Sequence, residues 1–380
     1  MKDNRREFFK KSASIVAAVS LGGISSAVAS TGDQKKNKSV SKSRPYVKDA
    51  GIKFAFMMGP TSPKIPFAIQ MGVLHSVSGV ERIPGVKAWE PEAIISTKKT
   101  WDKQGVKWTV VEGPPSLGTL TKLGLPGRDQ EIENFITFMK NLKKYGDVDV
   151  ICYNWMPVID WARTQTDRPG RGGALMTAFD YNDMKGKPLT EYGEVSKESL
   201  WTNLEYFLKA VVPEAEKIEM NLSLHPDDPQ VNSIQGISRI MNSVENFDRM
   251  LKIVPNKFSG VTMCQGNFSL MGADIPALVR RWGKDVINFV HFRSVQDLSG
   301  VVPSTKFTEC FHDEGQIDMY EAMKAYYEIG FEGPLRPDHV PTMFGETNER
   351  PGYMTLGNLY ATGYIRGLME SVSKEGRKSI

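Results

Sequence analysis

The sequence predicts an α/β chain folded as a single (β/α)8 barrel, a TIM barrel, with inserted loops. Three observations carry this. After residue 50, short β-rich runs alternate with amphipathic helical stretches. Eight such pairs fit between residues 49 and 380, the length a barrel with insertions needs. No Gly-x-Gly-x-x-Gly follows the first β-rich run, which argues against a doubly wound dinucleotide-binding sheet. The 380 residues are 40% hydrophobic and 24% charged. That composition supplies a sizeable core and excludes wholesale disorder, collagen and coiled coil.

The predicted strands cover 53–56, 72–75, 107–112, 147–154, 219–224, 260–264, 286–292 and 333–336. Helices are expected between most of them. The stretch 91–104 opens on Pro91, which suits a first helical turn. The stretch 128–145 repeats Ile132, Phe135, Ile136, Met139 and Leu142 at helical spacing. The stretch 196–217 starts at Ser196 and continues Leu200, Leu204, Phe207, Leu208, Val211. The segments 244–253, 275–282, 317–329 and 353–370 complete the alternation. The glycine-rich run 168–173 matches no phosphate-loop pattern and is expected to be an insertion on the substrate side.

The net charge of +4 divides unevenly. Residues 1–48 carry 11 Lys/Arg and 3 Asp/Glu, whereas 49–380 carry 37 and 41. The body is acidic and shows no basic stripe, which leaves nucleic-acid binding without support. The excess sits in an N-terminal segment with Arg5-Arg6, then Phe8-Phe9, then a Gly/Ser-diluted apolar stretch ending Ala27-Val28-Ala29. Residues 1–29 thus resemble a twin-arginine export signal, whose partner is the twin-arginine export machinery. The alternatives are a short membrane anchor or a basic tail; the stretch is short and weakly apolar for a span. Residues 30–48 read as a flexible Lys/Ser-rich linker. The expected location is periplasmic, with no stable membrane insertion after cleavage and a possible homo-oligomer. Cys152, Cys264 and Cys310 are too few, and odd in number, for a disulfide framework.

Chemistry concentrates at predicted strand ends. His225 closes the fifth strand, Cys264 the sixth and His291 the seventh, while Asp338 and His339 follow the eighth. In a parallel barrel these ends converge on one rim, where active sites lie. Two imidazoles, a thiolate and a carboxylate suit a divalent metal. Each residue alone also has a structural reading: a hydrogen-bonded His, a buried small Cys, an Asp in a turn. Arg293, two residues after His291, suits a substrate carboxylate. His312, in Phe311-His312-Asp313-Glu314-Gly315, is expected near the same rim.

The stretches CYNWMPVIDWART, LHPDDP, MCQGN, VHFR, FHDEGQIDM, RPDHVPTMFGE and GYIRGLME together resemble the mannonate dehydratase family over about residues 80–371. The resemblance implies a xylose-isomerase-like barrel that dehydrates D-mannonate to 2-dehydro-3-deoxy-D-gluconate with Mn2+ or Fe2+. It places metal ligands on His225, Cys264, His291 and Asp338, and the acid/base pair on His339 and Tyr353. Arg293 matches the Arg beside a metal-binding His. The chain departs from the family in its first strand and in Glu112-Gly-Pro-Pro-Ser-Leu-Gly118, where the family usually carries a His. That part is expected to shape the substrate end of the pocket. Two other readings remain: a dehydratase, isomerase or epimerase of a different sugar acid, and an exported sugar-acid binding protein without catalysis. The Cys ligand and the absence of a Glu at a strand end count against an isomerase. The presence of His339, Tyr353 and all four ligands counts against a binding protein.

Overall fold

The apolar runs pair side by side in chain order and then close. In the computed structural model, which describes residues 51–378, the strands are β1 (Lys53–Met57), β2 (His75–Val77), β3 (Lys107–Glu112), β4 (Val150–Asn154), β5 (Asn221–His225), β6 (Ser259–Cys264), β7 (Ile287–His291) and β8 (Pro334–Arg336). All neighbours are parallel, and β8 returns to β1 to seal the barrel. The expected leader (1–29) and linker (30–48) lie outside the described residues.

Side chains alternate across each strand, so one face fills the barrel and the other meets the helices. Ala55, Val77, Val110, Val150, Cys152 and Phe289 pack together inside. Phe54, Phe56, Trp108, Val111 and Ile151 join the larger core beneath the helices. Cys152 therefore has an interior packing role.

The outer helices start where their local chemistry allows. Pro91–Gln104 begins with its Pro in the first turn and ends at Gly105. Lys197–Lys217 is capped by the Ser196 side chain, which accepts from the Ser199 amide. Ile275–Trp282 and Met319–Glu328 are capped in the same way by Asp274 and Asp318. Two expectations shift. Arg128–Asn141 gives way to a π-helical turn over Leu142–Gly146, still on its apolar face. The predicted strand at 72–75 becomes the link into β2, which starts at His75. His75 is thus at the end of the barrel opposite the rim.

A second, four-stranded antiparallel sheet stands beyond the barrel ends. Its order is Val295–Asp297, Lys306–Glu309, Leu175–Asp180, Gln165–Pro169. The insertions after β4 and β7 build it, around Phe179, Val231, Ile234, Leu270, Val295 and Phe307. The glycine-rich run 168–173 lies at a hairpin of this sheet. Arg171 at its tip pairs with Asp313. No residue of the run lines the reaction cleft described below.

Phe207 anchors the helix layer. It is fully buried, with ring centroids 5.2 Å from Phe135, 5.7 Å from Tyr153 and 5.4 Å from Trp155. Phe207→Ala should cost about 3–5 kcal/mol through the cavity it leaves. Urea denaturation measures this.

Candidate active site

Parallel registry brings the strand ends together. Asn154 pairs with His225, Cys264 with His291, and His291 with Arg336. Every one of these residues ends its strand. His225 Nε2 lies 3.1 Å from His291 Nδ1. Asp338 Oδ2 lies 3.6 Å from His291 Nδ1 and 3.7 Å from Cys264 Sγ. The donor atoms of His225, Cys264 and His291 all fall within 4.8 Å of one another. The four residues expected as ligands therefore face a common point.

Asp338 reaches that point by an unusual backbone. Its φ is +62°, the left-handed region, which Asp tolerates better than most residues. In an extended strand, neighbouring side chains point to opposite faces. The left-handed turn instead turns both Asp338 and His339 toward the cleft, with Oδ1 and Nε2 3.8 Å apart.

Behind His225, Cys264 and His291 is a buried ion-pair cluster. Arg293 contacts Asp338 (2.7 Å), Asp228 (3.2 Å) and Glu309, and its Nε lies 3.3 Å from Cys264 Sγ. Arg163 bridges Asp228 and Glu309. Arg336 holds Glu112 through two nitrogens, at 3.1 and 2.9 Å, and reaches Asp338 at 2.6 Å. Burial pushes the four carboxyl groups up, but the guanidiniums outweigh it. Arg336 leads in holding Asp338 well below the ordinary range and Glu112 down at about 2. Arg163 and Arg293 hold Asp228 and Glu309 low.

The catalytic candidates form a chain. Glu309 Oε1 lies 3.0 Å from His339 Nδ1, and the Tyr353 hydroxyl lies 2.8 Å from His339 Nε2. A carboxylate at Nδ1 fixes a proton there and leaves Nε2 as the acceptor. Burial, with Asp338 next, raises the Tyr353 phenol well above its usual range, so it stays protonated. The Trp161 ring, centroid 5.5 Å away, covers His339. Gly352, at φ +84°, lets the Tyr353 loop approach, since a Cβ there would stand 3.3 Å from His339. His339, Tyr353 and Trp161 line a cleft of about 180 Å³ with His225, Asp338, Glu112 and Arg336.

Two expectations for substrate-contacting residues change. Arg293 is fully buried and absent from the cleft lining. Its donors are taken by Asp228, Glu309, Asp338, Asn267 and Cys264. It holds acids in place, and its guanidinium is spent on protein groups. Gly266 makes room for it: a Cβ there would come within 2.8 Å of the guanidinium. His312 is buried behind the site, its Nε2 2.7 Å from the Phe292 carbonyl, and burial brings its pKa down to about 4. A strand-end Glu also exists: Glu112 ends β3, contrary to the expectation of none. Its neutralisation by Arg336 is what separates it from a free acid.

Sequence reasoning passed over Glu112, Arg336, Glu309, Asp228 and Arg163. The strand-end rule could have found the first two. Asp228 and Arg163 stand inside the quoted motifs, without a signal for pairing. Glu309 belongs to the unpredicted second sheet.

A closed barrel with donor groups and a His–Tyr pair gathered at its C-terminal rim defines a barrel enzyme of polar small-molecule chemistry. The comparisons narrow the class. The family described as D-mannonate dehydratase (UxuA) matches residues 64–191 and 184–379. A mannonate dehydratase of Streptococcus agalactiae is 36% identical over 325 residues, 78% of this chain and 91% of that protein. One from Thermotoga neapolitana is 35% identical over 340 residues, 80% and 92% of the two chains. The crystal structure of mannonate dehydratase from Streptococcus suis superposes with a TM-score of 0.77 at 31% identity, covering 86% of this chain and 96% of that one. A D-tagatose 3-epimerase-like protein, at 15% identity and a TM-score of 0.54, shares the fold alone. This chain belongs to the mannonate dehydratase family, whose members are hydro-lyases.

Replacing Arg293 by Met should destabilise the protein by about 3–5 kcal/mol, because its acids would lose a buried partner. Chemical denaturation and metal content together check this. A raised KM with unchanged stability would return Arg293 to the substrate.

Proposed function

We propose that this chain dehydrates D-mannonate to 2-dehydro-3-deoxy-D-gluconate, with His339 as base and Tyr353 as acid. The observation that carries the assignment is the Glu309–His339–Tyr353 chain beside the ligand cluster.

The donor set fits a divalent metal held by His225, Cys264, His291 and Asp338. Three guanidiniums, Arg163, Arg293 and Arg336, face four carboxylates, Glu112, Asp228, Glu309 and Asp338. With Cys264 ligating as a thiolate, the cluster carries two uncompensated negative charges, which a divalent ion balances. Mn2+ or Fe2+ there would supply Lewis-acid stabilisation of the charge that develops beside the substrate carboxylate.

The protein's own groups close the proton account. His339 Nε2 takes the proton from C2, α to the carboxylate. Tyr353 gives its proton to the departing C3 hydroxyl, which leaves as water. The imidazolium then returns a proton to Tyr353 across their 2.8 Å contact. The enol tautomerises to the 2-keto acid. Glu309 keeps the imidazole oriented throughout and stabilises its charged form.

The leader-like residues 1–29 support a place for this reaction outside the cytoplasm. No helix among the described residues is long and apolar enough to cross a membrane. Replacing Arg5 and Arg6 with Lys should retain the protein in the cytoplasmic fraction. Unchanged export would remove the twin-arginine reading.

His339→Gln should keep its bound Mn2+ and lose at least about 100-fold in 2-keto acid formation from D-mannonate. Cys264→Ser should lose metal affinity first, with activity partly restored by excess Mn2+. Full residual turnover in His339→Gln would sink the assignment of the base.

A further inference from the structure

The reaction cleft does not end at Tyr353. It adjoins a vestibule of about 640 Å³, and Glu112, Trp161 and Tyr353 line both. The cleft alone is smaller than the roughly 300–1,000 Å³ of typical ligand sites. A six-carbon acid held at its reacting end has room to extend into the vestibule. None of the four expected metal ligands lines that space, which suits it to the other end of the chain.

The vestibule is not neutral. Met57, Met58, Val77 and Val80 give it an apolar wall, and Lys64 and Arg350 stand on its lining. Lys64 is half-buried, and its ammonium donates to the Tyr353 carbonyl. Burial brings its pKa down to about 8, with Arg350 adding to the drop and Glu346 opposing it. Glu346 spends its oxygens on the Leu356 and Met343 amides. Arg350 makes no ion pair among the described residues. Glu81 also lines the space, with one oxygen held by Thr100, and Glu112 is neutralised by Arg336. By contrast, Arg163, Arg293 and Arg336 are all engaged with protein acids. Two neighbouring cations without full compensation, on a cavity wall, are arranged to receive an anion.

We propose that Lys64 and Arg350 form an anion subsite for the substrate end remote from the reacting carbons. It favours aldonic acids that carry a second acidic group there, a terminal carboxylate or phosphate. The orientation rests on the dehydratase reading above; the subsite's binding can be tested apart from it.

The test compares kcat/KM of the Mn2+-loaded enzyme for D-mannonate, for the same chain oxidised at C6, and for its 6-phosphate. At least one doubly acidic compound should exceed D-mannonate by about tenfold or more, the effect expected of charge-assisted hydrogen bonds. The preferred compound tells a carboxylate from a phosphate subsite. Arg350→Gln and Lys64→Gln should each lower that ratio about tenfold, and Lys64→Arg should restore most of it. Arg350 is exposed, so its variant keeps the test valid if loss of Lys64 disturbs the Tyr353 loop. Calorimetric binding of the same acids reads the subsite without turnover. Tighter binding of the doubly acidic compound, lost in Arg350→Gln, supports the subsite even if no acid is dehydrated, and only the dehydratase reading then fails. Equal affinity of wild type for all three acids, or a ratio unmoved by both variants, overturns it.

Discussion

The structure depends on the charge balance around Arg293. One buried guanidinium contacts Asp228, Glu309 and Asp338 and approaches the Cys264 sulfur. Without such a partner, closely spaced buried acids would protonate or repel. With it, Asp338 stays anionic, and Glu309 stays available to orient His339. The His–Cys–His–Asp cluster and the His339–Tyr353 pair are thus held by the same cation. The three buried arginines face four carboxylates, one more than they can balance.

The barrel supplies the positions that this cluster needs. Its parallel registers set Asn154 beside His225 and Cys264 beside His291. Donors scattered along the chain become neighbours without any loop having to carry them. The exception is Asp338, which passes the end of β8 and uses a left-handed backbone to turn back. The second sheet adds what the barrel cannot. It delivers Glu309 from the insertion after β7, while Arg163 comes from the insertion after β4. The carboxylate that orients His339 therefore belongs to the inserted sheet, and the His–Cys–His cluster to the barrel strand ends.

This division explains which parts of the arrangement were legible in the sequence. The barrel, its order and the gathering of His225, Cys264, His291, Asp338, His339 and Tyr353 were all legible. Arg293 and His312, expected at the substrate because both lie close in sequence to rim residues, are buried outside the cleft lining. Proximity along the chain says little about which way a side chain turns after the strand ends. Arg293 turns inward to acids supplied by three other segments. His312 turns to a backbone carbonyl.

By itself the sequence determined the barrel class and the strand-end donors. Those follow from local patterns: apolar runs, helical periodicity and the residue at which each run stops. Only the tertiary structure decided that Arg293 is a partner for acids, that Glu112 is neutralised by Arg336, and that Glu309 aligns His339. Arg163 and Glu309 are 146 positions apart, and Arg336 and Glu112 are 224 apart. No local period encodes an ion pair across such distances. Its partners are chosen when burial removes water and leaves each charge only the opposite charges that folding has brought beside it.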